Sequence, residues 1–213
     1  MSGKRIGIYG GTFDPPHIGH LRVAQGALAS GMVDEVWMMV SPRNPLKLEN
    51  DISADSVRLE MCQLAVESIP NIRVSDFEFN LPVPSFTITT LETLKKEYPE
   101  NTYLLIIGED NFDNLGKWKE PERILSEFGI IIYPRPGSVP GNKRLPKGAL
   151  MMNDVEQTDI SSSELRRYFH NLSSAGDKDL SDADAGKDNP DLIIEEMVVP
   201  KVRGYIFRMG IYS

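Results

Sequence analysis

A three-layer, doubly wound α/β domain on a mostly parallel central sheet is the fold class this sequence predicts, and two observations predict it. Short β-branched and apolar runs alternate with longer stretches of helical period, in the βαβα order of parallel sheets. Runs such as "LLIIG" and "IIIY" are apolar without alternation, which implies strands covered by helices on both faces. The first strand, "RIGIYG" (5–10), leads to a helix near 16–30 whose Ile18, Leu21, Ala24 and Leu28 share one face and which Gly31 stops. "EVWMMVS" (35–41) and "IRVSDFEF" (72–79) are the next strands, separated by a helix near 54–69. A helix near 85–98 precedes "TYLLIIG" (102–108), and another near 109–127 precedes "GIIIYP" (129–134). "ALMMND" (149–154) is the last strand, followed by helices near 161–171 and 198–209.

No internal repeat is visible, and residues 1–213 read as a single domain. Residues 173–191, "SSAGDKDLSDADAGKDNPD", depart from the pattern: six Asp, small residues and no aromatic predict an exposed, mobile insertion. Its spacing does not fit an EF-hand calcium loop, which closes with a Glu at the twelfth position.

Hydrophobic content of 40% and charged content of 25% are those of an ordinary soluble globular protein. A net charge of −8 argues against a general nucleic-acid binder, although not against a local basic pocket for a small phosphate ligand. Cys62 stands alone in the helical stretch "VRLEMCQLAV" and reads as a buried small hydrophobe. The chain enters strand-like sequence within four residues, which predicts no signal peptide. No apolar stretch approaches the roughly 18 residues of a membrane span. Together these predict a cytoplasmic protein.

The exit from the first strand, "GGTFDPPHIGH" (10–20), carries the chemistry. Gly10 and Gly11 remove side chains where the chain turns, so a phosphate can approach the peptide N–H groups. Asp14 suits an N-cap, and Pro15 or Pro16 the first helical turn, where a missing N–H costs nothing. His17 and His20 then fall at i and i+3 on one face, at a helix end whose dipole favours anions. Two His at this spacing also fit zinc, but only His170 and Cys62 are left as soft ligands and neither lies in a matching motif. Neither a P-loop nor a G-x-G-x-x-G occurs.

"HIGH" at 17–20 is the signature of the nucleotidyltransferase superfamily, and the wider "GGTFDPPHIGH" resembles the bacterial nicotinate-nucleotide adenylyltransferases. "NPLK" (44–47), "PSFTITTL" (84–91), "IIGEDNFDNLGKW" (106–118), "YPRPG" (133–137), "ISSSELR" (160–166) and "YIFRMGIY" (205–212) resemble further family segments, in the family's order. The resemblance covers nearly the whole chain outside 173–191. It implies a Rossmann-like nucleotidyltransferase fold and transfer of the adenylyl group of ATP to nicotinate mononucleotide, with deamido-NAD and pyrophosphate as products.

The resemblance also implies roles. His20 would contact the α-phosphate as the main transition-state donor, with His17 supporting the triphosphate. Lys47 would reach phosphate, although the family's preceding His is here Leu46. Ser161, Ser162, Ser163 and Arg166 would grip the β- and γ-phosphates; the Ser run alone reads as a helix cap. The backbone of Gly10, Gly11, Thr12 and Phe13 would line the dinucleotide site, and Asp110, after Gly108, would accept the adenosine ribose hydroxyls. Trp118 would stack on the pyridine ring, and N–H groups at Thr87 and Lys119 would meet its carboxylate, with Ser85 beside them and Arg135 facing the mononucleotide. Magnesium would be carried by the triphosphate, since the motifs offer no carboxylate cage. Other adenylyltransferases of the superfamily, acting on nicotinamide mononucleotide or pantetheine phosphate, share the histidine motif; "PSFT", Trp118 and Arg135 separate them. A catalytically inactive nucleotide-binding regulator is disfavoured by the intact His17, His20, Lys47 and Arg166. The oligomeric state is not legible.

Overall fold

The computed structural model describes residues 3–43, 52–134, 144–153, 156, 158, 160–175 and 189–213. Six parallel strands form one sheet in the order β3-β2-β1-β4-β5-β6: β1 (Arg5–Gly11), β2 (Glu35–Val40), β3 (Ile72–Ser75), β4 (Thr102–Gly108), β5 (Ile130–Tyr133) and β6 (Ala149–Met151). All the strand pairs are parallel. Helices α1 (Ile18–Ala29), α2 (Asp55–Val66), α3 (Thr87–Glu97), α4 (Glu109–Asp113), α5 (Pro121–Arg123), α6 (Ser162–Ala175), α7 (Pro190–Met197) and α8 (Pro200–Met209) cover it.

The unalternating strands conceal a regular division of labour. Val36, Met38 and Val40 of β2 enter one core with Leu21 and Ala24 of α1, Met61 and Cys62 of α2, and Leu165 and Phe169 of α6. Trp37 and Met39 enter a second core with Ile88, Leu91 and Leu94 of α3. Successive side chains of a strand face opposite ways, so two apolar layers require apolar residues at every position. Cys62 is fully buried, and burial pushes its thiol well above the ordinary range, as a packing residue requires.

The order reverses between β1 and β4. Their pairing runs from Arg5↔Thr102 to Ile8↔Leu105 and stops, whereas β1 stays beside β2 as far as Gly11↔Val40. The two central strands therefore part at their carboxyl ends, which opens the crevice where doubly wound sheets bind ligands.

Four expectations are corrected. The strand expected over 72–79 ends at Ser75, whose hydroxyl takes the Phe77 N–H at 3.2 Å and starts a 3₁₀ turn over Phe77–Asn80. The helix expected over 109–127 is broken into α4, a 3₁₀ turn (Leu115–Lys117), α5 and a wider turn (Ile124–Phe128). Pro121 disfavours a right-handed helical Glu120, which takes φ 53° instead. Helix α7 lies partly inside the segment read as insertion: the Asn189 side chain caps it and Pro190 occupies its first turn. Residues 176–188 of that segment lie outside the described residues. Finally, Asp14 is not the cap of α1, which starts at Ile18 behind His17. No helix among the described residues is long and apolar enough to cross a membrane.

Candidate active site

The turn after β1 is held open by glycine and closed by aromatics. A Cβ at Gly10 would meet nothing within 4 Å, so its backbone lies bare; one at Gly11 would lie 2.8 Å from the Phe13 ring. Phe13 is buried at a left-handed φ of 50°, a conformation that a bulky residue adopts only under strong packing. Its ring meets the His20 ring edge-on, with centroids 5.0 Å apart.

Both histidines of the motif belong to the helix cap. His17 is the N-cap of α1: its Nδ1 accepts the Gly19 N–H at 3.2 Å, while His20 Nδ1 accepts the His17 N–H at 3.1 Å. This is a reciprocal capping box made of imidazoles. A nitrogen that accepts carries no proton, so in both neutral rings the N–H sits on Nε2. The ring centroids are 3.8 Å apart. Gly19 completes the pattern, because a Cβ there would lie 2.3 Å from Thr158 Oγ1 and 3.0 Å from the His17 ring. A methyl group here would require Thr158 and the His17 ring to shift.

Asp14, expected as the cap, is buried and ties segments distant in sequence. Its carboxylate accepts the Ser53 N–H at 3.0 Å and the Tyr212 hydroxyl. Its carbonyl accepts Arg166 Nη1 at 2.8 Å, and Arg166 Nη2 donates to Ser163 Oγ at 3.2 Å. Ser162 Oγ donates to the Pro15 carbonyl at 3.0 Å, which sets the N-terminus of α6 against the turn entering α1. Ser161 caps α6: its hydroxyl and N–H both donate to Glu164, holding that carboxyl below its usual value. Ser162 and Arg166 are thus tied to the segment that leads into His17 and His20, while Ser163 and Arg166 wall a second cavity with Ser53, His170 and Tyr212.

A cavity of about 400 Å³ opens beside this turn, at the carboxyl ends of the central strands. Gly10, Gly11, Thr12, Ser85, Thr87 and the half-buried Trp118 lie on its wall. Thr87 is the first residue of α3, behind an extended Phe86. Lys119 is exposed outside the cavity wall, with its Nζ 4.7 Å from the Phe86 ring centroid. Asp110 stands in the first turn of α4, and a Cβ at Gly108 would lie 2.4 Å from its Oδ1. Lys47, Leu46 and Arg135 lie outside the described residues.

Two residues escaped the sequence reading. Arg58 is fully buried and spans three loops, donating to the carbonyls of Thr12 (2.8 Å), Ser41 (2.8 Å) and Ser53 (3.1 Å) and to Asp55 Oδ1 (2.6 Å). Its signal was an arginine on the apolar stripe of Met61, Cys62 and Ala65. Glu78 lies on the cavity wall, where burial pushes its carboxyl above the ordinary value against the opposing pull of the Thr90 and Ser41 hydroxyls.

The cytidylyltransferase-like family model matches residues 8–168, from β1 into α6. The chain belongs to the cytidylyltransferase-like family. Within that family its relatives include the "Probable nicotinate-nucleotide adenylyltransferase" of Bacteroides fragilis (strain YCH46), 47% identical over 166 residues, covering 78% of this chain and 82% of that one. A protein of the same name from Bacteroides thetaiotaomicron is 44% identical over 163 residues, covering 76% and 80%. Among solved structures, the nicotinic acid mononucleotide adenylyltransferase of Plasmodium falciparum complexed with NaAD superposes with a TM-score of 0.74 at 23% identity, covering 98% of this chain and 97% of that one. That likeness shows a shared fold.

Proposed function

We propose that this protein transfers the adenylyl group of ATP to nicotinate mononucleotide, giving deamido-NAD and pyrophosphate in NAD biosynthesis. One observation carries the reading: the bare turn that leads to the imidazole cap also walls a cavity bearing Trp118, Thr87 and Ser85. The names of the relatives agree with it.

An oxygen of the mononucleotide's phosphate attacks the α-phosphorus, the bond to the β-phosphate oxygen breaks, and pyrophosphate leaves. No protein nucleophile is required, so the rate comes from aligning two anions and neutralising the phosphoryl oxygens. On this reading His20 Nε2–H donates to the α-phosphate and His17 to the triphosphate. Arg166, Ser161, Ser162, Ser163 and Lys47 hold the outer phosphates, while Gly108 and Asp110 serve the adenosine. Trp118 stacks on the pyridine, and Thr87, Ser85, Lys119 and Arg135 serve the acceptor. Among the described residues no three or more His, Cys, Asp or Glu cluster as metal ligands. Magnesium carried by ATP would supply charge neutralisation at the triphosphate. We place the reaction in the cytoplasm, where ATP is made and held.

A pyrophosphate-release assay with nicotinate mononucleotide, nicotinamide mononucleotide and pantetheine phosphate as rival acceptors tests this. Nicotinate mononucleotide should give the largest kcat/KM; a clear preference for either rival sinks the assignment.

A further inference from the structure

The cavity beside Gly10–Thr12 holds a carboxylate to which adenylyl transfer gives no task. Glu78 stands on the 3₁₀ turn Phe77–Asn80 and lies on the cavity wall, half-buried. Among the described residues of that wall it is the one carrying a formal charge; no Lys, Arg or His accompanies it. The carboxylate is held in place. Thr90, 1% exposed, donates its hydroxyl to Glu78 Oε1 at 2.8 Å, and the nearby Ser41 hydroxyl also favours the ionised form. Ser41 is itself fixed through its carbonyl by the buried Arg58 at 2.8 Å.

An ionised carboxyl group has room for about four hydrogen bonds. The Thr90 hydroxyl occupies about a quarter of that capacity, and burial makes unsatisfied capacity costly. A ligand in this cavity should therefore present donors to Glu78. The acceptor's phosphate and its ring carboxylate are anions and are repelled by it. The remaining polar groups of a mononucleotide are its two ribose hydroxyls, a vicinal pair of donors, and carboxylates elsewhere read ribose hydroxyls in this way.

We propose that Glu78 accepts the ribose hydroxyls of the acceptor mononucleotide, which makes the sugar a recognition element of this cavity. The inference rests on the acceptor reading of the cavity given above. It also orients the ligand: the pyridine carboxylate must lie away from Glu78.

Steady-state kinetics on the full chain test it with nicotinate mononucleotide, its 2′-deoxy and 3′-deoxy analogues, and nicotinamide mononucleotide. Wild-type protein should show an acceptor KM raised on the order of tenfold or more for at least one deoxy analogue, as loss of a hydrogen bond to a charged group implies. Glu78→Gln should raise the KM for nicotinate mononucleotide similarly, with kcat and the KM for ATP within about threefold, and add little for the same deoxy analogue. Equal wild-type KM values for ribose and deoxyribose acceptors overturn the proposal without any variant, so a poorly folding Glu78→Gln does not shelter it. A Glu78→Gln penalty confined to nicotinamide mononucleotide overturns it too, because Glu78 would then read a carboxamide. Wild-type protein that does not adenylylate nicotinate mononucleotide at all instead defeats the functional reading, and this inference with it.

Discussion

Between His17 and His20 the chain is crowded by the Thr158 side chain and the His17 ring. Gly19→Ala places a methyl group 2.3 Å from Thr158 Oγ1 and 3.0 Å from the His17 ring. Alanine is favoured over glycine in a helix by about 1 kcal/mol, so a neutral site would be stabilised. The expected result is the reverse: a lower melting temperature and a fall in kcat of about tenfold or more as the imidazoles shift, an effect that misplaced catalytic groups produce. His20→Ala removes the proposed phosphate donor and should lower turnover at least about a hundredfold. It also deletes half of the capping box, at about 1 kcal/mol in urea unfolding; near-wild-type turnover would take His20 out of the chemistry. The spacing of the histidines was legible in the sequence, but their capping role was not. Asp14 is the better N-cap by propensity, and only its distant partners Ser53 and Tyr212 draw it elsewhere.

Elements were legible where their pattern was local. The boundaries of α3 and β4 lie within two residues of those expected, because apolar periodicity and flanking polar residues coincide there. The Asn-Pro start of α7 lies inside an acidic stretch whose composition reads as loop, and Pro121 divides the periodic stretch over 109–127. The tail after α8 shows how an element is anchored from afar. Gly210 ends α8 at φ 60° and Tyr212 follows at φ 69°, which brings its hydroxyl to the buried Asp14. Burial and the neighbouring Asp14 push the Tyr212 phenol well above its ordinary range, so it stays protonated and donates. Tyr212→Phe leaves that carboxylate short of one donor and should cost about 1–3 kcal/mol of stability, read by chemical denaturation. An unchanged midpoint would show the contact to be idle.

For the whole molecule, the class of sheet was legible from its doubly apolar strands, but the strand order was not, since pairing of β1 with β4 is a contact between distant residues. Long-range electrostatics were equally hidden. Asp34 receives the backbone N–H and guanidinium of Arg5, which lower its carboxyl from 3.8 to about 2 and join the α1–β2 turn to β1. A carboxyl lowered in the folded state stabilises above its unfolded value and loses that contribution as pH falls through the folded one. The stability gap between wild type and Asp34→Asn should therefore be constant above about pH 5 and close between pH 3.8 and about 2; a gap unchanged in acid refutes the pair. The parting of β1 from β4 has one more result. A dinucleotide spanning cavity and imidazoles must drape over Gly10, like a rope over a bare beam. Gly10→Ala meets no protein atom within 4 Å, so its melting curve should match wild type while deamido-NAD is held less tightly. Such a mutation would be silent to folding and felt by the site's ligands.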